Sequence, residues 1–239
     1  LVDWIFDRIH LEAGSRVLEL CSGTGNQTKR MIELVGDQGF VVATDISEKA
    51  LDQWKGKTDL RVRARFTTVA ASMDDLQPAL EESALGDPPF DMVFCAYGLY
   101  YSKNPERVLE ESLKRIGVDG RIIIVGPFGP NNGQLFDFLE SSGVKIADYI
   151  RYTSQDFMES VVIPFACHHF AKNTIHTLVN PVYWKNADDV MHYWSNSTFF
   201  DEQKMGEVEC NIKNHFQLHS SFTNEKWIMM VEMCNCISS

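Results

Sequence analysis

Apolar residues recur in two alternating rhythms along the first half of this chain. Short runs rich in Val and Ile end in small or polar residues and read as strands: "RVLEL" (16–20), "GFVVATD" (39–45), "RFTTVA" (65–70), "FDMVFCA" (90–96) and "RIIIVGP" (121–127). Helix-like segments separate them. The clearest is "NPERVLEESLKRI" (104–116), where Asn104 caps, Pro105 takes the first turn, and Val108, Leu109, Leu113 and Ile116 share one face. Strand, helix and strand at this spacing predict an α/β fold: a mostly parallel sheet with helices on both faces.

After Pro127 the rhythm changes. "GPFGPNNGQ" (126–134) is a turn-rich loop, and an aromatic-rich region with helical stretches follows to about Lys172. Two further strands are expected in "NTIHTLVNPVYW" (173–184) and "KWIMMVEMC" (226–234), which brings the sheet to seven. The expected organisation is one domain over residues 1–239. Residues 1–128 bind the ligand, a small insertion over about 129–172 acts as a lid, and 173–239 complete the sheet. Neither a flexible linker nor an internal repeat divides the chain.

Composition narrows the function. A length of 239 residues at 44% hydrophobic suits one ordinary domain with a sizeable core. The formal charge of −11 and the scatter of Lys and Arg argue against a nucleic-acid partner, whose phosphates need clustered cations. The apolar runs fall well short of the roughly 20 residues that span a bilayer, so no membrane span is expected. No signal peptide is visible, although a start at Leu1 leaves room for a lost leading segment. The six cysteines (Cys21, Cys95, Cys167, Cys210, Cys234 and Cys236) show no zinc-knuckle spacing. No metal site is expected. The "CNC" at 234–236 reads as one buried and one exposed thiol on a strand, and reduced thiols fit a cytoplasmic protein.

Chemistry enters with "VLELCSGTGNQTKRMI" (17–32), a strand running through a small-residue turn into a helix. In open α/β sheets the first such turn is the usual ligand cradle. Gly23 and Gly25 remove Cβ atoms that would block a ligand, and the helix behind them offers free N–H groups. The turn lacks the Gly-Lys-Ser/Thr ending of a phosphate loop and the third glycine of a dinucleotide fingerprint. Glu19, just ahead of it, suits a cation better than a phosphate. Asp45 ends the second strand, where a carboxylate can accept two hydrogen bonds from ribose hydroxyls. A helix cap is the plainer role for an acid at a strand end.

"VLELCSGTG", "VVATDIS", "TTVAASMDDL", "FDMVFCAYGLYYSKNPERVLEESLKRI" and "DGRIIIVGP" resemble, in order and spacing, the motifs of class I S-adenosylmethionine-dependent methyltransferases. The branch they are most similar to includes the ubiquinone/menaquinone-type and small-molecule enzymes. The likeness covers about residues 14–127 and implies a Rossmann-like seven-stranded sheet with S-adenosyl-L-methionine as cofactor. Carried over by position, Glu19 meets the ammonium directly or through water, Cys21, Gly23 and Gly25 form the floor, and Asp45 with Ile46 holds the ribose side. Cys21 departs from the family's usual glycine, a change that is tolerable if its φ stays negative. Ser72 falls where the family's adenine-binding acid usually stands, with Met73 after it and Asp74 near enough to substitute. Asp74 and Asp75 also suit a helix start, where negative charge is favourable. Cys95 and Ala96 should line the methionine side. Tyr100 and Tyr101 sit where paired His or aromatic residues are frequent.

The sulfonium is already reactive, so the protein chiefly supplies orientation and desolvation. A base is required only for a poorly ionised acceptor. His168, His169 and Tyr101 are the candidates for that role, with His176 and His192 also beyond the cofactor half. The aromatics between 129 and 194 read as core, and also as a lid over an apolar or aromatic small-molecule acceptor. Three functions stay open: methyl transfer to a small molecule, methyl transfer to protein or nucleic acid, and cofactor binding without methyl transfer.

Overall fold

The structure, a computed structural model, describes residues 1–55, 66–82 and 87–234. Among these residues seven strands form one sheet: β1 (Arg16–Leu20), β2 (Phe40–Asp45), β3 (Phe66–Ala70), β4 (Phe90–Ala96), β5 (Ile116–Pro127), β6 (Lys172–Trp184) and β7 (Phe222–Cys234). Their order is β3-β2-β1-β4-β5-β7-β6. The pairings of β1 with β2, β1 with β4, β2 with β3 and β4 with β5 are all parallel. This is the α/β, mostly parallel seven-stranded sheet that the alternating rhythm predicts. Val17, Leu18, Val41, Val42, Met92, Val93, Ile122 and Ile123 are buried whichever way they point. Continuous apolar runs are what a sheet covered on both faces requires.

The differences from the sequence reading are local. The sequence reading carries a helix to Ile116 and starts the next strand at Arg121, yet β5 begins at Ile116, which pairs with Phe90 across a register shift between Phe90 and Met92. Ile116 therefore belongs to the sheet and not to the preceding helix. That helix, Pro105–Leu113, starts as expected: Asn104 accepts from the Arg107 N–H at 3.1 Å, and Val108 and Leu109 are buried. Pro181 stands inside β6, an edge strand, which is where a sheet tolerates proline. β7 starts at Phe222, four residues before the predicted run. Arg65 and Cys236 lie outside the described residues, so the first residue of the third predicted strand and half of the "CNC" pair do too.

By compactness the chain divides into two units. The first comprises Leu1–Gly126, Val161–His176 and Met230–Ser239, and contains β1 to β4 with the helices Asn26–Val35, Glu48–Lys55 and Pro105–Leu113. The second comprises Pro127–Ser160 and Thr177–Met229. It has its own core, in which Leu135, Phe136, Leu139, Trp184, Val190, Trp194, Val208, Ile212 and Phe222 are buried together. Residues 129–172 thus contribute to both units. Among the described residues no helix is long and apolar enough to cross a membrane.

Candidate functional site

Within the first unit, β2 and β3 lie to one side of β1, and β4 lies to the other. The chain direction of connection reverses at the β1–β4 boundary, and a crevice at the carboxyl ends of strands flanking such a point is where open α/β sheets bind ligands. Leu20 pairs with Cys95 there, so the loops leaving β1 and β4 start side by side.

The loop after β1 turns by left-handed backbone at three places: Cys21 at φ 56°, Gly23 at φ 54° and Gly25 at φ 78°. Glycine adopts this region freely, whereas a residue with a Cβ pays about 1–2 kcal/mol for it. The negative φ expected at Cys21 is therefore not found; the turn keeps its left-handed start although a side chain stands there. Gly98, in the loop after β4, makes room for that side chain, since a Cβ at Gly98 would fall 2.4 Å from Cys21 Cβ. A Cβ at Gly23, by contrast, would meet nothing within 4 Å among the described residues. The space over Gly23 is open among them. Gly25 caps the helix Asn26–Val35 without a side-chain bond, which leaves the first-turn N–H groups facing the loop.

Two acids flank the turn in different settings. Asp45, at the end of β2, accepts from the Gly23 N–H at 2.8 Å through Oδ2 and from the Ser47 N–H at 2.8 Å through Oδ1. Each oxygen keeps a further lone pair. Glu19 is buried, accepts a short hydrogen bond from the Thr28 hydroxyl, and has its backbone carbonyl tied to the Thr44 hydroxyl at 2.9 Å. Burial raises its pKa to about 8; the Thr28 bond opposes this and the charge of Asp45 reinforces it. Near neutral pH the carboxyl therefore holds its proton until a cation arrives to replace it.

The segment after β3 is built around a short turn, Met73–Asp75, whose start Ser72 caps by accepting from the Asp74 N–H at 3.3 Å. Asp74 faces the β4 side: it accepts from the Ser102 hydroxyl, from the Lys103 N–H at 3.2 Å and from the Asn104 N–H at 3.4 Å. Burial works to raise its pKa, but these hydrogen bonds outweigh burial and hold it below the usual range. Met73 reaches the turn itself, its Sδ lying 3.7 Å from Cys21 Sγ. Met73 and Asp74 also line a cavity of about 200 Å³ with Leu18, Leu20, Arg107 and Glu111. Cys95 is buried and Ala96 half-buried at the end of β4, while Ile46 leaves 78% of its surface exposed beside Asp45. An apolar side chain that exposed next to a carboxylate is a ready platform for a flat ring.

The candidate bases are more scattered. His168 and His169 end the helix Ile163–His169, both exposed, with ring centroids 4.7 Å apart. Tyr101 is 66% exposed and packs on Tyr100 at 4.6 Å. Burial first, then neighbouring Tyr101 and Tyr97, push the Tyr100 phenol well up, which makes it a poor source of phenolate. Thr28 and Gly98 are residues of this candidate site that the sequence reading did not single out. Thr28 could have been found as the buried hydroxyl one helical turn past Gly25, and Gly98 as the lone glycine in "YGLYY".

A family model described as a methyltransferase domain matches residues 11–188. The chain belongs to this methyltransferase domain family. It is 32% identical over 122 residues to the ubiquinone/menaquinone biosynthesis C-methyltransferase UbiE of Pseudomonas fluorescens, covering 51% of this chain and 45% of that one. To the demethylmenaquinone methyltransferase of Lactobacillus johnsonii it is 26% identical over 168 residues, covering 65% and 66%. The chain spans about half the length of the curated relatives it matches. Among solved structures, the YcgJ protein of Bacillus subtilis superposes with a TM-score of 0.64 at 12% identity, covering 98% of this chain and 97% of that one. At that identity the likeness speaks for the fold alone.

Proposed function

We propose that this chain binds S-adenosyl-L-methionine at the switch point of its sheet and transfers the methyl group to a small molecule. The observation that carries the reading is the pairing of Asp45 with the Gly23 N–H beside a left-handed turn, with the buried Glu19 on the other side. The residues fit the group. Open space over Gly23 admits a ligand that a Cβ would meet head-on, and Ser22 Oγ is buried without a hydrogen-bond partner among the described residues. In this reading Asp45 accepts from the ribose hydroxyls through its remaining lone pairs, Ile46 lies against the adenine, and Cys21, Cys95 and Ala96 line the methionine chain. Glu19 exchanges its proton for the ammonium. When bound, the sulfonium supplies an electrophilic methyl carbon; the chain's part is to orient it and keep water away.

The acceptor in this proposal is an apolar, ring-bearing small molecule of the quinone precursor kind, a reading supported by the names of the relatives. Calorimetry with S-adenosylmethionine and its demethylated product tests the cofactor. Mass spectrometry of turnover with reduced, demethylated quinones tests the transfer. Cofactor binding with no methylated product from any ring acceptor would leave a binding protein in place of the transferase.

A further inference from the structure

Sulfur is concentrated at one point of the first unit. Cys21 Sγ lies 3.7 Å from Met73 Sδ, and the Cys95 thiol is within hydrogen-bond reach of the Cys21 sulfur. The two cysteines converge on the hollow left by Gly98: a carbon placed there would be 2.6 Å from Cys21 Sγ and 3.2 Å from Cys95 Sγ. The three side chains come from the loop after β1, the segment after β3 and the end of β4 itself, so folding brings them together and local sequence does not. Cys21 holds its place in a left-handed conformation that glycine would adopt freely, and strain of this kind tends to persist where a site requires it.

Around one metal ion with metal–sulfur bonds of about 2.3 Å, ligand sulfurs stand roughly 3.7–4.0 Å apart, from tetrahedral to trigonal geometry. The Cys21–Met73 separation falls in that range. Two thiols and a thioether are a soft donor set, which suits copper(I) over hard cations, and three sulfurs with one a thioether fall short of the four ligands of structural zinc. Among the described residues no group of three or more His, Cys, Asp and Glu side chains gathers as a rival metal position.

We propose that Cys21, Cys95 and Met73 form a binding site for a single copper(I) ion at the carboxyl ends of β1 and β4. Binding exchanges two thiol protons, released to solvent, for two sulfur–copper bonds, and Met73 adds a lone pair. Copper enters and stays as copper(I), so no electron is transferred. The site shares Cys21 and Cys95 with the proposed methionine wall, so copper(I) and the methyl donor exclude one another there; its three sulfur ligands come from the protein, and copper binding is read with no donor present.

The test is an anaerobic titration of the reduced full chain with copper(I) against a chromophoric copper(I) chelator. One tight equivalent is expected, and it should persist when the exposed Cys167 and Cys210 are both changed to serine. Cys21→Gly should weaken it by at least about tenfold, and Met73→Leu by a smaller factor. Cys21→Gly suits the local φ, so loss of folding is not an escape. X-ray absorption of the loaded chain should return a first shell of sulfur only. Unchanged affinity in Cys21→Gly, or a shell of nitrogen or oxygen, would overturn the proposal.

Discussion

The carboxylate of Asp45 accepts a hydrogen bond of 2.8 Å from the backbone N–H of Gly23, which ties the end of β2 to the turn after β1. One side chain therefore shapes the turn and, in the proposed function, holds the ribose. Asp45→Ala should weaken cofactor binding by roughly tenfold to a hundredfold, since a hydrogen bond to a charged group contributes about 1.5–3 kcal/mol. It should also speed hydrogen exchange at the Gly23 amide, which loses its acceptor. Asp45→Asn retains an acceptor for that amide and should recover the exchange protection more fully than the affinity. Equal affinity in wild type and a folded Asp45→Ala chain would remove Asp45 from the site.

Glu19 makes both binding and stability depend on pH. Its carboxyl titrates near 4.5 in an unfolded chain and near 8 when folded. Below 4.5 both states are protonated and the folded-state preference for the neutral acid is fully expressed; it is lost as pH rises through about 8. Denaturation between pH 5 and 9 should show stability declining, and Glu19→Gln, which keeps an acceptor for Thr28, should flatten the decline. An ammonium arriving at Glu19 below pH 8 should expel its proton. Calorimetry of cofactor binding in buffers of different ionisation enthalpy reads that release directly. No difference in proton release between wild type and Glu19→Gln would show that the ligand cation does not meet this group.

Cys21→Gly removes a side chain from a left-handed position, and should stabilise the chain by about 1 kcal/mol after the extra entropy of glycine is subtracted. Chemical denaturation checks this. A marked loss of stability would mean that the contacts of Cys21 with Met73 and Cys95 outweigh the backbone strain.

Phe165 and Phe170 sit in the region that the sequence suggests as a lid, but in the first unit they are only 7% and 6% exposed, with ring centroids 6.4 Å apart. Replacing either with alanine should cost about 3–5 kcal/mol of stability. Melting temperature, cofactor affinity and turnover should then fall together. A variant that melts like wild type and loses only turnover would instead place its ring against the acceptor.

How much of this was legible in advance depends on the kind of interaction. β1 and β4 were read to the residue because Val and Leu runs in a covered sheet need no partner to identify them. The start of β5 was missed because Gly117, Asp119 and Gly120 carry turn chemistry, and only the pairing of Ile116 with Phe90 overrides it. Glu19, Gly23 and Asp45 were legible as chemistry because spacing placed them at strand ends. The left-handed φ at Cys21 was not, since glycine is the residue that announces such a position. Nor was the use of Asp74 by Ser102, Lys103 and Asn104, which is a contact across 28 to 30 residues of chain.

The central claim is that the turn between β1 and the helix Asn26–Val35, with Asp45, holds S-adenosylmethionine. Isothermal calorimetry with S-adenosylmethionine, its demethylated product and NAD, on wild type and Asp45→Ala in parallel, tests it most directly. The account predicts one site for the sulfonium compound and its product in the micromolar range, weakened in the variant, and no comparable binding of NAD. Tight binding of NAD with neither of the other two bound would contradict it.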